Sequence, residues 1–297
     1  MGKSIEINKR NIRVLFMGNH TVGIEVIKSI MKNASLIGIV AHPYDAEDGI
    51  VYESVYSFGQ KHNTPTIRGV AKSNQVFKFI KEKKPDLIWV TDYRYILPES
   101  IIKLARIGCI NLHPSLLPKY RGRASINWAM IKGEKTIGLT AHFIDKGVDT
   151  GEIIEQIPLS ITSSDYIEDV LDRLYPIYYR ITLSILNKIL TSKLKSTKQP
   201  IGDYQVFPKR TPDDGEIDWS KPISQILNLI RAVSRPYPGA FKKTKNTKLI
   251  IWRAENVDDG LLEGAIGEVL LESQESLFIK CIDGLLKVTD WEYVQLG

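Results

Sequence analysis

The sequence predicts an α/β protein: a Rossmann-like domain built on a mostly parallel sheet, followed by a small β-rich domain. Three observations carry this. Short, continuously apolar runs alternate with stretches of helical periodicity through the first half of the chain. A polar Pro/Gly-containing segment follows at 193–202. Beyond it, short strand-like runs separated by turn residues lie between 248 and 290.

The first apolar run, IRVLFM at 12–17, ends at Gly18 and reads as a strand buried on both faces. Val22 to Met31 repeats apolar residues at helical spacing, and Leu36–Val40 and Leu87–Val90 supply two further strands. Ser163 to Leu194 reads as one long helix, with Ser163 or Ser164 as N-cap and Pro176 expected to kink or split it. The segment KLKSTKQPIG at 193–202 reads as a linker, dividing a first domain at 1–204 from a small β-rich domain, compatible with a barrel, at 205–297. In the latter, a short helix near Ile223–Val233 precedes strand-like runs at 248–252, 265–271, 277–282 and 285–290.

Composition narrows the function classes. The chain is 43% hydrophobic and 25% charged, an ordinary globular balance, and no apolar run approaches the ~20 residues of a membrane span. The N-terminus has no apolar stretch followed by a small-residue cleavage site, so a cytoplasmic protein without signal peptide is expected. Two cysteines far apart, Cys109 and Cys281, have no metal-ligand spacing; they read as buried thiols, and no metal is expected. The formal charge is +6, yet residues 205–297 hold 12 basic and 14 acidic residues, so the surplus lies before them. A C-terminal domain that gripped a nucleic-acid backbone should show the opposite bias, and no nucleic-acid partner is expected.

The turn Gly18-Asn19-His20-Thr21-Val22-Gly23 suggests a dinucleotide loop but lacks the middle glycine that lets a pyrophosphate approach the backbone. His20 there either contacts substrate or simply starts a helix.

The chemically informative stretch runs from Asn111 to Gly151. Asn111 and His113 are two apart and share one face of a strand; Pro114 and Pro118 then stiffen a loop. Asp149 lies between Gly147 and Gly151, in a bend that can aim a carboxylate. Acyl transfer to an amine needs a base, a donor for the carbonyl oxygen, and a group that orients or charges the imidazole. His113, Asn111 and Asp149 fit these roles in turn. No Ser or Cys nucleophile is required, because an amine is itself the nucleophile.

The pattern Asn-x-His-x-Ser-Leu-Leu-Pro, followed by Arg-Gly and later Asp-x-Gly, resembles the signature of the folate-dependent formyltransferases, and TDYRYILPE (91–99) and RAVSRPYPGAF (231–241) extend the resemblance over almost the whole chain. The resemblance implies a Rossmann-like catalytic formyltransferase domain at 1–204 followed by an OB-like domain at 205–297, with Asn111, His113 and Asp149 as the catalytic trio and 10-formyltetrahydrofolate as the formyl donor. It places the pterin against the Tyr95–Pro98 backbone and the loop leading to Asp149, with Tyr95, Ile96, Leu97, Ser115 and Leu116 as cofactor contacts. A homodimer is expected by analogy only.

Within the family, the glycinamide ribonucleotide enzymes have no place for 205–297. The methionyl-tRNA enzymes usually carry HASLLP and RGAAP, and need a basic second domain. The chain looks most similar to formyltransferases of UDP-linked 4-amino sugars, in SLLPKYRGRA and FPKRTPDDG (207–215). A nucleotide-sugar acceptor is therefore expected, with methionyl-tRNA formylation and hydrolysis of the folate as the alternatives. Arg123 and Arg210 are the candidate substrate contacts, with His20; Arg210 would meet the diphosphate near the domain junction. Each also reads as ordinary surface charge or, for His20, as a helix start. Ser125 departs from the family's usual Pro at the next helix start.

Overall fold

The computed structural model describes residues 12–257 and 263–296. The N-terminal stretch on which the signal-peptide reading rests lies, through residue 11, outside the described residues.

The elements run β1 (Arg13–Gly18), α1 (His20–Asn33), β2 (Ser35–Ala41), α2 (Val55–Lys61), β3 (Thr66–Arg68), α3 (Asn74–Lys83), β4 (Leu87–Thr91), α4 (Glu99–Ile102) and β5 (Gly108–His113). Then come β6 (Arg121–Gly122), α5 (Ser125–Ile131), β7 (Thr136–Phe143), β8 (Ile153–Ser160), α6 (Ile167–Leu190), β9 (Val206–Phe207) and a 3-10 turn (Pro212–Gly215). The chain closes with α7 (Ile223–Val233), β10 (Ala240–Lys243), β11 (Thr247–Val257), β12 (Val269–Glu272), β13 (Leu277–Cys281) and β14 (Gly284–Gln295).

The main sheet has the order β3-β2-β1-β4-β5-β7-β8. Its strands β1 to β5 pair in parallel, and β7 runs antiparallel to β5. The parallel strands read as unbroken apolar runs because both faces are covered: Leu15, Met17, Ile88 and Val90 are all buried, with Val76 and Ile80 of α3 packed in the same cluster. Each such side chain contributes about 1.5–3 kcal/mol on burial. Local signals start two of the helices: Ser54 and Ser73 accept hydrogen bonds from Ser57 N and Val76 N at the heads of α2 and α3.

Some expectations change. The long helix starts at Ile167 rather than near Ser163, because Asp165 and Asp169 carboxylates cap the preceding turn through Thr162 N and Tyr166 N. Pro176 lies inside α6 and does not split it. The strand read at 265–271 is confined to Val269–Glu272, since Gly267 turns the chain with φ +80°.

The chain divides into two compact units. One comprises residues through Arg121, Gly138–Leu159 and Arg173–Val206; the other comprises Gly122–Ile137, Ser160–Asp172 and Phe207–Gly297. A single cut at 204/205 therefore assigns two segments differently from the contacts. The cause lies within the second unit. There α5 packs on α7, the Asn127 side chain donates to the Ala232 carbonyl (2.8 Å), and Arg231 donates to the carbonyls of Thr162 and Asp165. The strands of this unit form a five-stranded antiparallel sheet, β10-β11-β14-β13-β12. The Lys242 ammonium on one edge strand donates to the carbonyl of Gly267, just ahead of the other edge strand.

No helix among the described residues is long and apolar enough to cross a membrane.

Candidate active site

All of the site's central residues belong to the first unit. Strand β5 delivers Asn111 and His113 at its carboxyl end, where ligand sites form in open α/β sheets. The antiparallel register sets His142 of β7 directly opposite Asn111. Asp149 stands on the loop between β7 and β8 with φ 52°, a left-handed conformation that Asp tolerates better than most residues. Its carboxylate lies 3.6 Å from His113 Nδ1, 3.4 Å from the Asn111 amide nitrogen and 3.4 Å from His142 Nε2. The structure thus brings the three sequence-predicted residues together.

Proton positions follow from the partners. His113 Nε2 is 2.8 Å from the Tyr120 carbonyl oxygen, which can only accept, so Nε2 carries the proton of the neutral ring. Nδ1 is then the basic nitrogen and faces Asp149. The imidazole is oriented by the Tyr120 carbonyl; Asp149 supplies charge rather than orientation. Burial pushes His113 below the ordinary imidazole range, while Asp149 and the Tyr120 carbonyl pull the other way.

His142 was missed in the sequence. Its Nδ1 donates to the Phe143 carbonyl at 2.8 Å, which leaves Nε2 to accept from the Asn111 amide at 3.2 Å. One Asn111 hydrogen is therefore committed to His142. The other points at Asp149 over a long 3.4 Å, and is the one it can lend to a carbonyl oxygen. The signal for His142 was a histidine in an apolar strand seven residues before Asp149, but its meaning depends on the antiparallel pairing of β7.

The remaining predicted residues divide. Leu97 is buried in the core, and Ile96 is 66% exposed. None of the hydrogen bonds described engages the main chain of Tyr95, Ile96 or Leu97, so this segment has N–H and C=O groups to offer a flat heteroaromatic ring. The Ser115 hydroxyl donates to the Lys119 carbonyl at 2.7 Å and Leu116 packs on Gly138, so both side chains hold the SLLP turn itself. His20 Nδ1 lies 2.7 Å from Asp92 and its ring stacks on Tyr52 with centroids 4.6 Å apart; both His20 and Asp92 follow the β1 and β4 ends. In the second unit, the Arg123 side chain is exposed while its N–H donates to Phe207 O. Arg210 stacks on Trp128 (4.9 Å) and donates to the Asp214 carbonyl at 2.8 Å. Ser125 sits at the first position of α5, where proline is favoured because its missing N–H costs nothing. Among the described residues, no group of three or more His, Cys, Asp or Glu is placed to hold a metal ion.

The family model for formyl transferase matches residues 12–183, and that for the formyl transferase C-terminal domain matches 209–293. The chain belongs to the formyl transferase family. This formyltransferase is 36% identical over 251 residues to the bifunctional polymyxin resistance protein ArnA of Wigglesworthia glossinidia brevipalpis; the match covers 82% of the chain but only 38% of ArnA. It is 32% identical over 286 residues to the methionyl-tRNA formyltransferase of Caldanaerobacter subterraneus subsp. tengcongensis, covering 94% of the chain and 91% of that enzyme. Its fold is shared with WlaRD, a sugar 3N-formyl transferase solved in the presence of dTDP and 5-N-formyl-THF. That comparison gives a TM-score of 0.72 and 20% identity, over 94% of this chain and 97% of the other. Membership in this family makes the chain an enzyme of formyl transfer.

Proposed function

We propose that this formyltransferase passes the formyl group of 10-formyltetrahydrofolate to the primary amine of a nucleotide-linked 4-amino sugar, with UDP as the carrier, in the cytoplasm. Residues 1–204 are the catalytic part and 205–297 the accessory domain in this reading. The observation that carries the chemistry is the gap between His113 Nδ1 and the Asp149 carboxylate. Two acceptors face each other there at 3.6 Å, an arrangement suited to an N–H of the attacking nitrogen.

In this mechanism His113 Nδ1 takes the proton that the nitrogen loses on forming its bond to the formyl carbon. Asp149 balances the charge that the imidazole gains. Asn111 turns its second amide hydrogen from Asp149 to the carbonyl oxygen, a contact worth about 3 kcal/mol in the barrier. The main chain of Tyr95–Leu97 holds the pterin, and the folate when bound supplies the formyl group. His113 would then give up that proton toward N10 as the bond between the formyl carbon and N10 breaks, so that tetrahydrofolate and the N-formyl amine are the products. Arg123 and His20 are the acceptor contacts, with Arg210 for the diphosphate.

The sugar reading is supported by the net charge of −2 over 205–297 and by the similarity to ArnA. The second reading, methionyl-tRNA as acceptor, is favoured by the similarity to the methionyl-tRNA enzyme along nearly the whole chain. Incubation with 10-formyltetrahydrofolate and a panel of amines, with mass identification of the product, decides between them. UDP- and dTDP-linked 4-amino sugars, methionyl-tRNA and a no-acceptor control belong in the panel. A formylated UDP-sugar is expected. Methionyl-tRNA formylated at a comparable rate overturns the sugar reading, and a better dTDP-sugar overturns only the choice of base.

A further inference from the structure

The segment expected to be a linker is fastened to the catalytic loop. Ile153 and Thr197 exchange reciprocal main-chain hydrogen bonds of 2.8 Å, and the Ser196 hydroxyl donates to Glu152 at 2.5 Å. Gln199 goes further. Its amide nitrogen donates to two carbonyls of the turn that bears the carboxylate, Asp149 O at 2.8 Å and Gly151 O at 2.9 Å. Its amide oxygen accepts from the Arg121 guanidinium at 2.6 Å. Both amide hydrogens and the amide oxygen are thus engaged, which fixes the side chain in one orientation. Arg121 in turn lies over the Tyr204 ring at 5.3 Å and follows Tyr120, whose carbonyl holds His113.

These contacts form a circuit. It runs from His113 to the Tyr120 carbonyl, along one peptide to Arg121, across to Gln199, and on to the Asp149 backbone. The Asp149 carboxylate then faces His113 again. Every link is covalent or a hydrogen bond of 2.6–2.8 Å except the last, the 3.6 Å gap. The gap width is therefore set by the other links. Tyr120 and Asp149 both adopt left-handed φ, 56° and 52°, and such conformations persist only where surrounding structure holds them.

We propose that Gln199 is a positioning residue for formyl transfer, a strut that with Arg121 fixes the spacing between His113 and Asp149. The proposal rests on the reading of Asn111, His113 and Asp149 as the catalytic trio. Gln199 touches none of the reacting atoms. It acts through the Asp149 backbone.

The test measures Gln199→Ala, Gln199→Glu, Arg121→Met and the double variant Gln199→Ala/Arg121→Met in the full chain. Thermal unfolding, kcat, the folate KM and the pH profile of kcat/KM are recorded for each, with Asp149→Asn alongside. A displacement of about 1 Å costs up to 100-fold in rate. Gln199→Ala is expected to stay folded and lose roughly 10- to 100-fold in kcat, with little change in the folate KM. Because Asp149 raises the basicity of His113, its retreat should also move the acidic limb of the profile to lower pH. Gln199→Glu should be worse than Ala, since it aims a carboxylate at two carbonyl oxygens. The double variant should cost little more than the singles, because both break one link.

Turnover within threefold of wild type and an unmoved acidic limb in Gln199→Ala refute the strut. So does a loss of activity that only follows the loss of folded protein. If Asp149→Asn is inactive while Gln199→Ala is normal, the strut alone is wrong. If Asp149→Asn turns over normally, the catalytic reading itself fails.

Discussion

Replacing Asp149 by Asn keeps the shape of the side chain and removes its charge. The structure sets the size of the effect. A carboxylate 3.6 Å from His113 Nδ1 stabilises the imidazolium formed during transfer by about 4–5 kcal/mol at an effective dielectric constant of 20. Part of this is lost because Asp149 keeps its 13% exposure and neighbouring dipoles reorganise, so about 3–4 kcal/mol is the working figure, or roughly 10²–10³ in kcat. The acidic limb of kcat/KM should also shift. His113 is held low by burial and partly restored by Asp149, so Asp149→Asn should move the limb to lower pH. The assay is the rate of tetrahydrofolate release from pH 5 to 9 at saturating and at limiting acceptor, which give kcat and kcat/KM, with far-ultraviolet circular dichroism to confirm folding. Turnover within threefold of wild type, or a limb that moves upward, refutes the assignment of charge support to Asp149.

The other predictions address the site and the fold. His113→Ala and Asn111→Ala should each lower kcat at least ~100-fold with the fold intact, and near-normal turnover in either removes that residue from the mechanism. Arg210→Ala should raise the KM for the nucleotide sugar more than it lowers kcat, with the folate KM unchanged; a fall in melting temperature alone would leave Arg210 as a prop for Trp128. Acidification should destabilise the protein between about pH 6.5 and 4. Burial lowers His42 to about 4, so across that window the unfolded chain binds a proton that the folded chain refuses. The loss by pH 4.5 should be about 2–3 kcal/mol in urea unfolding, and His42→Gln should flatten the slope; equal stability at pH 7 and 4.5 contradicts it.

The grouping of Asn111, His113 and Asp149, proposed as the catalytic trio, was legible because its marks are local. An apolar strand ends in Asn-Leu-His-Pro, and an acidic residue sits between two glycines. The parallel strands were legible for a similar reason, since a strand buried on both faces has no polar alternation to hide it. His142 was not legible, because its role depends on β7 pairing antiparallel with β5, a fact of register rather than of composition. Gln199 was concealed by its surroundings. Lys, Ser, Thr and Pro around it carry every mark of a connector, and only the carbonyls of Asp149 and Gly151 give it work. Residues 122–137 and 160–172 pack with the second unit although they precede the expected boundary, because that boundary followed chain order rather than packing. What the sequence did not show for Arg210 and Ser115 is that their side chains also meet the protein's own carbonyls, those of Asp214 and Lys119.

The fastening of Thr197 and Gln199 to the Asp149 turn bears on how the enzyme comes into being. The last of the three residues proposed as catalytic is Asp149, and the final helix of the first half ends at Leu190. A ribosome that has released only this much chain has exposed the whole trio, yet the turn carrying the carboxylate still lacks its outside support. The neck of that turn is narrow, since a side chain at Gly151 would collide with the Phe143 carbonyl, so the loop has little slack with which to settle alone. Activity during synthesis should therefore arrive with the release of Gln199 rather than with Asp149. For the same reason, a chain cut after Leu190 would keep Asn111, His113 and Asp149 but lack the Gln199 contacts to the Asp149 turn.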